Sequence, residues 1–259
     1  MKIKDISAVI EQWAPLGIQE EWDNSGLIIG NPEDEVHGVL VAFDCSAQLV
    51  REAVRRGCDL IVTHHPLIFK GVRHIRRGES VGDAIVEAIK SGVAVYAAHT
   101  NADKVPQGVS GAMARRLGLK EISLLEDEGG YGLGAVGFFE KPMSGEEALS
   151  YVASRFGVKT IRHSAPVERI EKVAVLGGSG ASEIALARKA GAQLYISADI
   201  SYHHFFTDEG LMVMDIGHFE SEVEIVDILF TLIRKKFPTF AVLISEDLDK
   251  SNPVRYYVK

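Results

Sequence analysis

The chain has 259 residues and a formal net charge of −8, with 46% hydrophobic and 25% charged residues. This is an ordinary globular composition, and the length allows one large domain or two small ones. An acidic chain is a poor match for broad nucleic-acid binding, which depends on attraction to phosphates. The N-terminal segment lacks the apolar run of a signal peptide, and no stretch approaches the ~18 apolar residues of a membrane helix. We therefore expect a cytoplasmic protein that binds neither a membrane nor nucleic acids broadly.

The cysteine content argues against redox and thiolate-metal chemistry. The chain has two cysteines, Cys45 and Cys58, and they do not form a Cys-x-x-Cys pair. Free cysteines are commonly buried, so we predict two buried thiols in a protein of a reducing compartment.

Short apolar runs rich in Val and Ile alternate with helical patterns along the chain. Their length and β-branched content favour buried strands over helices. The predicted strands are 39–43, 60–63, 93–98, 135–139, 173–176, 194–197 and 211–215. Helical patterns at 47–56 and 181–190 are each followed by a glycine, which is typical of a helix end. This alternation predicts α/β layers with mostly parallel strands.

The sequence resembles itself at a distance of 134 positions. Residues 39–65 align with 173–199 without a gap, so that strand, turn, helix, glycine and second strand coincide. A second alignment, shifted by 119, places His99 on His218 and Asp103 on Glu222. The period is far longer than that of a solenoid repeat, so we predict two similar halves. Similarity among unrelated α/β units is the alternative.

The acidic, glycine-rich segment 126–134 is the predicted seam between the halves. The tail from residue 223 has no counterpart in the first half, and we expect it to return and pack there. The first α/β domain then comprises 1–125 and 220–259, and the second comprises 126–219. The predicted fold is α/β, with two similar halves of mostly parallel sheets packed together and a dinuclear metal site in the cleft between them.

Two adjacent histidines, His64 and His65, end the apolar run LIVTHHP. In open α/β sheets, ligands bind beyond the carboxyl ends of the strands. Adjacent strand residues point to opposite faces, so the two histidines fit one ion poorly, whereas two nearby ions would give each its own. A pair of hydrogen-bonded structural histidines is the alternative, because most histidines bind no metal.

Two further apolar runs end in residues of the same kind. VAVYAAHTNAD ends with His99 and Asp103, and LMVMDIGHFESE carries His218 and Glu222 about one helical turn apart. Imidazole and carboxylate ligands suit Zn²⁺, Mn²⁺ or Fe²⁺, and a carboxylate can bridge two ions. The sequence thus predicts two divalent ions per chain, with the ligands His64, His65, Asp103, His218 and Glu222.

Three more residues are candidates for proton transfer. We interpret His99 as a proton relay or a residue that orients a ligand, with a structural histidine as the alternative. Asp199 and His203 follow the strand that corresponds to LIVTHH in the repeat, and we expect them to act as general acid or base. The turn GGSG at 177–180 and the segment Trp22-Asp23-Asn24 are weaker candidates, for a tight turn or phosphate binding and for orienting ligands.

The segments THHPLIFKG, HTNAD, GHFESE and EWDNSGL together resemble the GTP cyclohydrolase I type 2 homologues, also called NIF-three-like or dinuclear metal centre proteins. The resemblance covers most of the chain and is to the short bacterial type, which lacks a large central insertion. It implies two metal ions on the residues matching the five predicted ligands, a homohexamer and a cytoplasmic location. The segment SADISYHH departs from the family pattern, which leaves the roles of Asp199 and His203 open.

Two metal ions bridged by a carboxylate favour metal-assisted hydrolysis. We therefore predict a metal-dependent hydrolase whose small-molecule substrate is a nucleotide or another phosphate-containing compound. The family name implies attack on the guanine ring of GTP, although these residues do not single out a purine. The basic segment 70–77 is either a solvated loop or a surface that steers phosphate. A non-catalytic, metal-dependent scaffold or regulator is the alternative function.

Overall fold

The computed structural model describes residues 1–207 and 210–257, which form two sheets packed against helices. The strands are β1 (Gly26–Ile29), β2 (Gly38–Ala42), β3 (Leu60–Thr63), β4 (Ala94–Ala97), β5 (Lys120–Leu124), β6 (Ala135–Met143), β7 (Arg162–His163), β8 (Ile170–Ser179), β9 (Leu194–Ala198), β10 (Met212–Asp215) and β11 (Ala241–Ile244). The α-helices are α1 (Ile3–Trp13), α2 (Ala47–Arg55), α3 (Ser80–Ser91), α4 (Thr100–Asp103), α5 (Val109–Arg116), α6 (Gly145–Phe156), α7 (Ile184–Lys189), α8 (His218–Glu222), α9 (Ile225–Lys236) and α10 (Leu248–Ser251). Within the described part of the chain, no helix has the length and apolarity needed to cross a bilayer.

The chain divides into two units. Unit 1 comprises Met1–Ala102 and Ile225–Arg255, and unit 2 comprises Asp103–Glu224 with the residues from Tyr256 onwards. These boundaries differ from the predicted ones at 125/126 and 219/220. The predicted seam is the loop of a β5–β6 hairpin, because Leu125 N donates to Gly134 O at 3.1 Å. Since β5 pairs with β6, it belongs with the second sheet, and α8 likewise packs on β8 in unit 2.

Unit 1 contains a five-stranded sheet in the order β1-β4-β3-β2-β11. The pairings from β4 to β11 are parallel, and β1 is antiparallel at the edge. On one face, residues of α2 and α3 share a core with alternate residues of β2 and β3. α9, which also contacts α1, packs on β2 in the same unit. Burial on both faces explains why β2, β3 and β4 are continuous apolar runs rather than alternating ones.

Unit 2 contains a six-stranded sheet in the order β5-β6-β8-β9-β10-β7. Only the β8–β9 and β9–β10 pairings described in it are parallel. The prediction of mostly parallel strands therefore holds for the first sheet and is wrong for the second. Buried residues of α5 and α6 share one core with β8, β9 and β10, and residues of α7 share another with β8 and β9.

The predicted similarity of the two halves is confirmed at the level of hydrogen-bond register. Val39 pairs with Leu60 in unit 1, and the residues 134 positions later, Val173 and Leu194, pair in unit 2. The helix ends also match, since Cys58 N donates to Ala53 O at 2.8 Å, and the corresponding 192-to-187 bond is 3.1 Å. The α/β class with two similar halves is thus confirmed.

The glycines that end α2 and α7 should contribute equally to stability. Gly57 and Gly191 have φ values of +70° and +74°, and a Cβ at either would meet no atom within 4 Å. Alanine at either position should therefore lower the free energy of unfolding by about 1 kcal/mol through backbone strain alone. Urea denaturation measures this, with Gly71→Ala as the control, because Gly71 has equal space and no positive φ. A loss at only one of the two sites would contradict the equivalence of the two helix ends.

Candidate metal centre

Three histidines of unit 1 follow two neighbouring parallel strands. His64 and His65 come directly after β3, and His99 comes two residues after β4. Thr63 pairs with Ala97, and Ala98 N donates to Thr63 O at 2.9 Å, so the two strands end level with each other. The carboxyl ends of these strands thus deliver all three imidazoles to one edge of the sheet.

The three imidazole rings form a triangle. Ring centroids lie 4.9 Å apart for His64 and His65, and each of these rings lies 5.3–5.4 Å from the ring of His99. One ring nitrogen of each residue lies within 4.8 Å of those of the other two. His64 is fully buried, whereas the other two are half-buried. This grouping has the size and chemistry of an imidazole site for a transition-metal ion.

Each of these imidazoles is oriented by an oxygen at its Nδ1 atom. The Nδ1···O distances are 2.8 Å from His64 to the Ala98 carbonyl, 2.8 Å from His65 to the Asp44 carboxylate and 2.7 Å from His99 to the Asp23 carboxylate. Because a carbonyl or carboxylate oxygen only accepts, Nδ1 carries the proton in the neutral ring and Nε2 keeps its lone pair. This is the arrangement that metal-ligating histidines use.

Asp23 is the most extensively bonded of these acceptors. Its side chain is fully buried and accepts hydrogen bonds from His99, from the Thr100 N–H and hydroxyl, and from Ser25. Burial alone would raise the pKa of Asp23, but the hydrogen bonds from His99 and Thr100 hold that pKa well below its usual value. Asp23 is therefore an ionised, buried carboxylate that fixes the ring of His99.

Unit 2 contains a histidine and a carboxylate on one helix. His218 and Glu222 lie at the two ends of α8, with His218 Nε2 2.9 Å from Glu222 Oε2. On its other side, His218 Nδ1 lies 2.8 Å from Asp199 Oδ2. Asp199 follows β9 and has a φ of +53°, a conformation that aspartate tolerates better than most residues. The same device, an oxygen at Nδ1, therefore orients a fourth imidazole.

The glycine turn at the end of β8 makes room for the Glu222 carboxylate. A Cβ at Gly178 would lie 2.1 Å from Glu222 Oε1, and the φ of Gly178 is +67°. Gly178 N also donates to Ser221 Oγ at 2.9 Å. Within unit 2, the GGSG segment thus packs against a predicted ligand, which accounts for its glycines without a bound phosphate.

The remaining predicted site residues have different surroundings. Asp103 is half-buried at the C-terminal end of α4. His203 is exposed in a 3-10 helix, where its ring contacts those of Tyr202 and Phe206. Asp199 has an orienting contact with His218, and its role as a general acid or base stays a prediction.

His99 has a ring nitrogen within 4.8 Å of those of the two predicted ligands of unit 1, and its role as a proton relay or as a residue that orients a ligand stays a prediction. The sequence analysis did not identify Asp44 as a site residue, because no pattern near it indicates its contact with His65. The only available signal was its position directly after a buried strand run. The thiols are not comparable ligands, because burial raises the pKa of Cys45 to about 12 and also raises that of Cys58.

A model of the Duf34/NIF3 (NGG1p interacting factor 3) family matches residues 1–250 of the chain. The chain belongs to the Duf34/NIF3 family. Two relatives called GTP cyclohydrolase 1 type 2 homolog are similar over most of their length. The relative from Clostridium perfringens is 36% identical over 228 residues, which is 86% of this chain and 87% of the relative. The relative from Nostoc sp. is 34% identical over 257 residues, which is 96% and 97% of the two chains.

Two solved structures share the fold of this chain. The Staphylococcus aureus hypothetical protein SA1388 superimposes with a TM-score of 0.90 at 28% identity and covers 99% of both chains. HcgD from Methanocaldococcus jannaschii, in its reduced form, gives a TM-score of 0.79 at 28% identity and covers 95% of this chain and 98% of its own. The expected family and fold are thus confirmed, and the chain carries histidine and glutamate groups suited to a metal ion.

Replacing Gly178 should weaken metal binding through Glu222. In Gly178→Ala, the added methyl group would displace the carboxylate, so we expect the affinity for Mn²⁺ or Zn²⁺ to fall by about 10–100-fold. Gly191→Ala is the matched control, because its backbone strain is similar and no atom lies within 4 Å of the new Cβ. Calorimetric titration of both variants measures the effect. Equal affinities would show that the Gly178–Glu222 contact has no part in binding.

Proposed function

We propose that this member of the Duf34/NIF3 family is a metal-dependent hydrolase that uses two divalent ions per chain, Zn²⁺, Mn²⁺ or Fe²⁺. The proposed ligands are His64, His65, Asp103, His218 and Glu222. The observation that carries the proposal is that four imidazoles, three in unit 1 and one in unit 2, each have an oxygen acceptor at Nδ1. His37 and His163 also have an oxygen at Nδ1, so what distinguishes the three histidines of unit 1 is that their ring nitrogens also lie within 4.8 Å of one another.

The chain's own residues supply orientation and charge. Asp44, Asp23 and Asp199 hold the Nδ1 protons, which directs the Nε2 lone pairs of their histidines outward from those contacts. Glu222 is almost fully buried and contributes a negative charge that would offset repulsion between two cations. Bound divalent ions of this kind supply a nucleophile from water at neutral pH and stabilise a developing oxyanion.

The substrate class follows from this chemistry. Hydrolysis of a phosphate ester, a nucleotide or a cyclic amide passes through an oxyanion, and the names of the curated relatives refer to a reaction of a nucleotide. We therefore propose a small phosphate-containing molecule, and a nucleotide first among these. The homohexamer and the cytoplasmic location stay predictions from the resemblance.

Metal content tests the ligand assignment. Protein purified without chelator should contain close to two transition-metal ions per chain, and Glu222→Gln should lose at least one because it removes the anionic charge. Glu224→Gln, the same substitution two residues later, should keep both, because Glu224 faces Arg116 at 3.7 Å. Elemental analysis at matched free metal gives the counts. No bound metal after reconstitution, or a fully loaded Glu222→Gln, would refute the assignment.

Turnover tests whether the protein is an enzyme. Protein loaded with Mn²⁺, Zn²⁺ or Fe²⁺ should hydrolyse at least one member of a panel of phosphoesters and nucleotides. His64→Ala should lose at least 100-fold in rate, because it removes a proposed ligand, whereas the exposed His37→Ala should not. A thermal melt of each variant confirms folding. Tight metal binding without turnover on any panel member would favour the non-catalytic scaffold.

A further inference from the structure

Two exposed aromatic side chains stand beside the histidine triangle of unit 1. Trp22 is 59% exposed and Phe69 is 44% exposed. Their ring centroids lie 5.7 Å apart at an interplanar angle of 66°, and they lie 6.2 and 5.9 Å from the ring of His99. The two rings therefore form an open aromatic corner (the Trp22–Phe69 corner), and both rings contact the ring of His99.

The polypeptide on both sides of this corner is tied in place. Asn24 Nδ2 donates to Ile68 O at 2.7 Å, which joins the segment after Trp22 to the residue before Phe69. Asp23, between Trp22 and Asn24, is fixed by its buried hydrogen bonds to His99 and Thr100. Large aromatic surfaces are normally removed from water, so two tethered rings that remain exposed here suggest a ligand that covers them.

The charge next to the corner selects the kind of ligand. Phe69 is followed by five basic or imidazole side chains without an acidic residue before Glu79, all of them exposed: Lys70, Arg73, His74, Arg76 and Arg77. The chain as a whole has a net charge of −8, so this basic segment is a local reversal of sign. Such a segment attracts an anion and repels cationic ligands.

We propose that the Trp22–Phe69 corner binds the planar heteroaromatic ring of an anionic substrate, whose phosphate is attracted by the basic segment 70–77. A flat ring can stack on the face of one aromatic side chain while meeting the edge of the other, which a flexible aliphatic chain does less well. The inference rests on the proposed function for its phosphate-bearing substrate class and adds the ring and the residues that recognise it. It also accounts for the closeness of the corner to His99, since a substrate held there reaches the histidine triangle.

Tryptophan fluorescence tests the proposal directly. The chain has two tryptophans, so in Trp13→Phe protein the emission reports on Trp22 alone. The probes are guanosine 5′-monophosphate, guanosine and ribose 5-phosphate, which separate the contributions of the ring and the phosphate. We expect guanosine 5′-monophosphate to quench Trp22, guanosine to quench it with lower affinity, and ribose 5-phosphate to leave the emission unchanged.

Variants assign the binding to the corner. Phe69→Leu should weaken guanosine 5′-monophosphate binding by about tenfold, in the range found for loss of one ring that stacks on a base. Phe206→Leu, at another exposed phenylalanine in unit 2, should have no effect. Arg73→Ala with Arg76→Ala should weaken the monophosphate and leave guanosine unchanged. Trp22→Phe should retain most of the affinity, measured by calorimetry, and Trp22→Leu should lose it.

Several outcomes would overturn the proposal. Equal binding of guanosine 5′-monophosphate and ribose 5-phosphate would mean that the ring is not recognised. Unchanged affinity in Phe69→Leu would place the ring elsewhere. A Trp22 emission that shifts with protein concentration, and an oligomer that dissociates in Phe69→Leu, would assign the corner to an interface between copies. All titrations are repeated on chelator-treated protein, so that loss of metal or of turnover is separated from loss of ring binding.

Discussion

Protonation of the imidazoles at Nδ1 is the constraint on which the rest of the candidate centre depends. A neutral histidine presents the Nε2 lone pair to a ligand when Nδ1 carries the proton, and an oxygen at Nδ1 stabilises this tautomer in each of four histidines here. One of these oxygens belongs to a backbone carbonyl and three belong to aspartates. The aspartates lie on loops at the carboxyl ends of strands or before β1. Neighbouring strands of a sheet must therefore end at the same level for these contacts to form. Strand register, loop conformation and imidazole chemistry are therefore parts of one requirement.

The internal repeat supplies that register twice. Asp59 and Gln193 occupy matching positions, and each side chain accepts hydrogen bonds from two consecutive backbone N–H groups, those of residues 37 and 38 in one copy and of residues 171 and 172 in the other. The two copies of the repeat diverge after the strands that precede His99 and His218. β4 and β10 match at a shift of 118, yet His99 and His218 match at 119, because Gly217 adds one residue before α8. The shared scaffold thus ends one residue before the candidate ligands.

The sequence predicts the buried parts of this fold well and the exposed parts poorly. Leu60–Thr63 is a strand at its predicted bounds, because four buried residues, three of them apolar and the last three β-branched, leave little choice of structure. β5 was not predicted, since most of its residues are exposed and it lacks an apolar run. Its absence from the prediction turned the loop of its hairpin into an apparent domain seam. The wrong prediction of mostly parallel strands in unit 2 has the same origin, because the β5–β6 hairpin adds antiparallel pairings at the edge of the sheet.

The candidate site divides in the same way. Histidines after apolar strands could be found because ligands collect at strand ends. The acceptors that orient them were harder to find. The segment Trp22-Asp23-Asn24 was only a weak candidate for orienting ligands, and Asp44 was missed. The reason is separation along the chain, since Asp44 and His65 are 21 residues apart and Asp23 and His99 are 76 residues apart. A local sequence pattern cannot indicate such pairings, because the paired residues come together only when the sheet has formed.

That separation along the chain has a thermodynamic consequence. An unfolded chain cannot hold Asp23 against His99 or bring β3 and β4 level, so the triangle of imidazoles exists only in the native state of unit 1. Any ion that requires this geometry then binds the native state in preference to the unfolded ensemble. By linkage, such binding adds RT ln(1 + [L]/Kd) to the conformational stability, which is about 2.7 kcal/mol at a hundredfold excess over Kd. Metal supply and proteolytic lifetime of this chain would therefore rise and fall together.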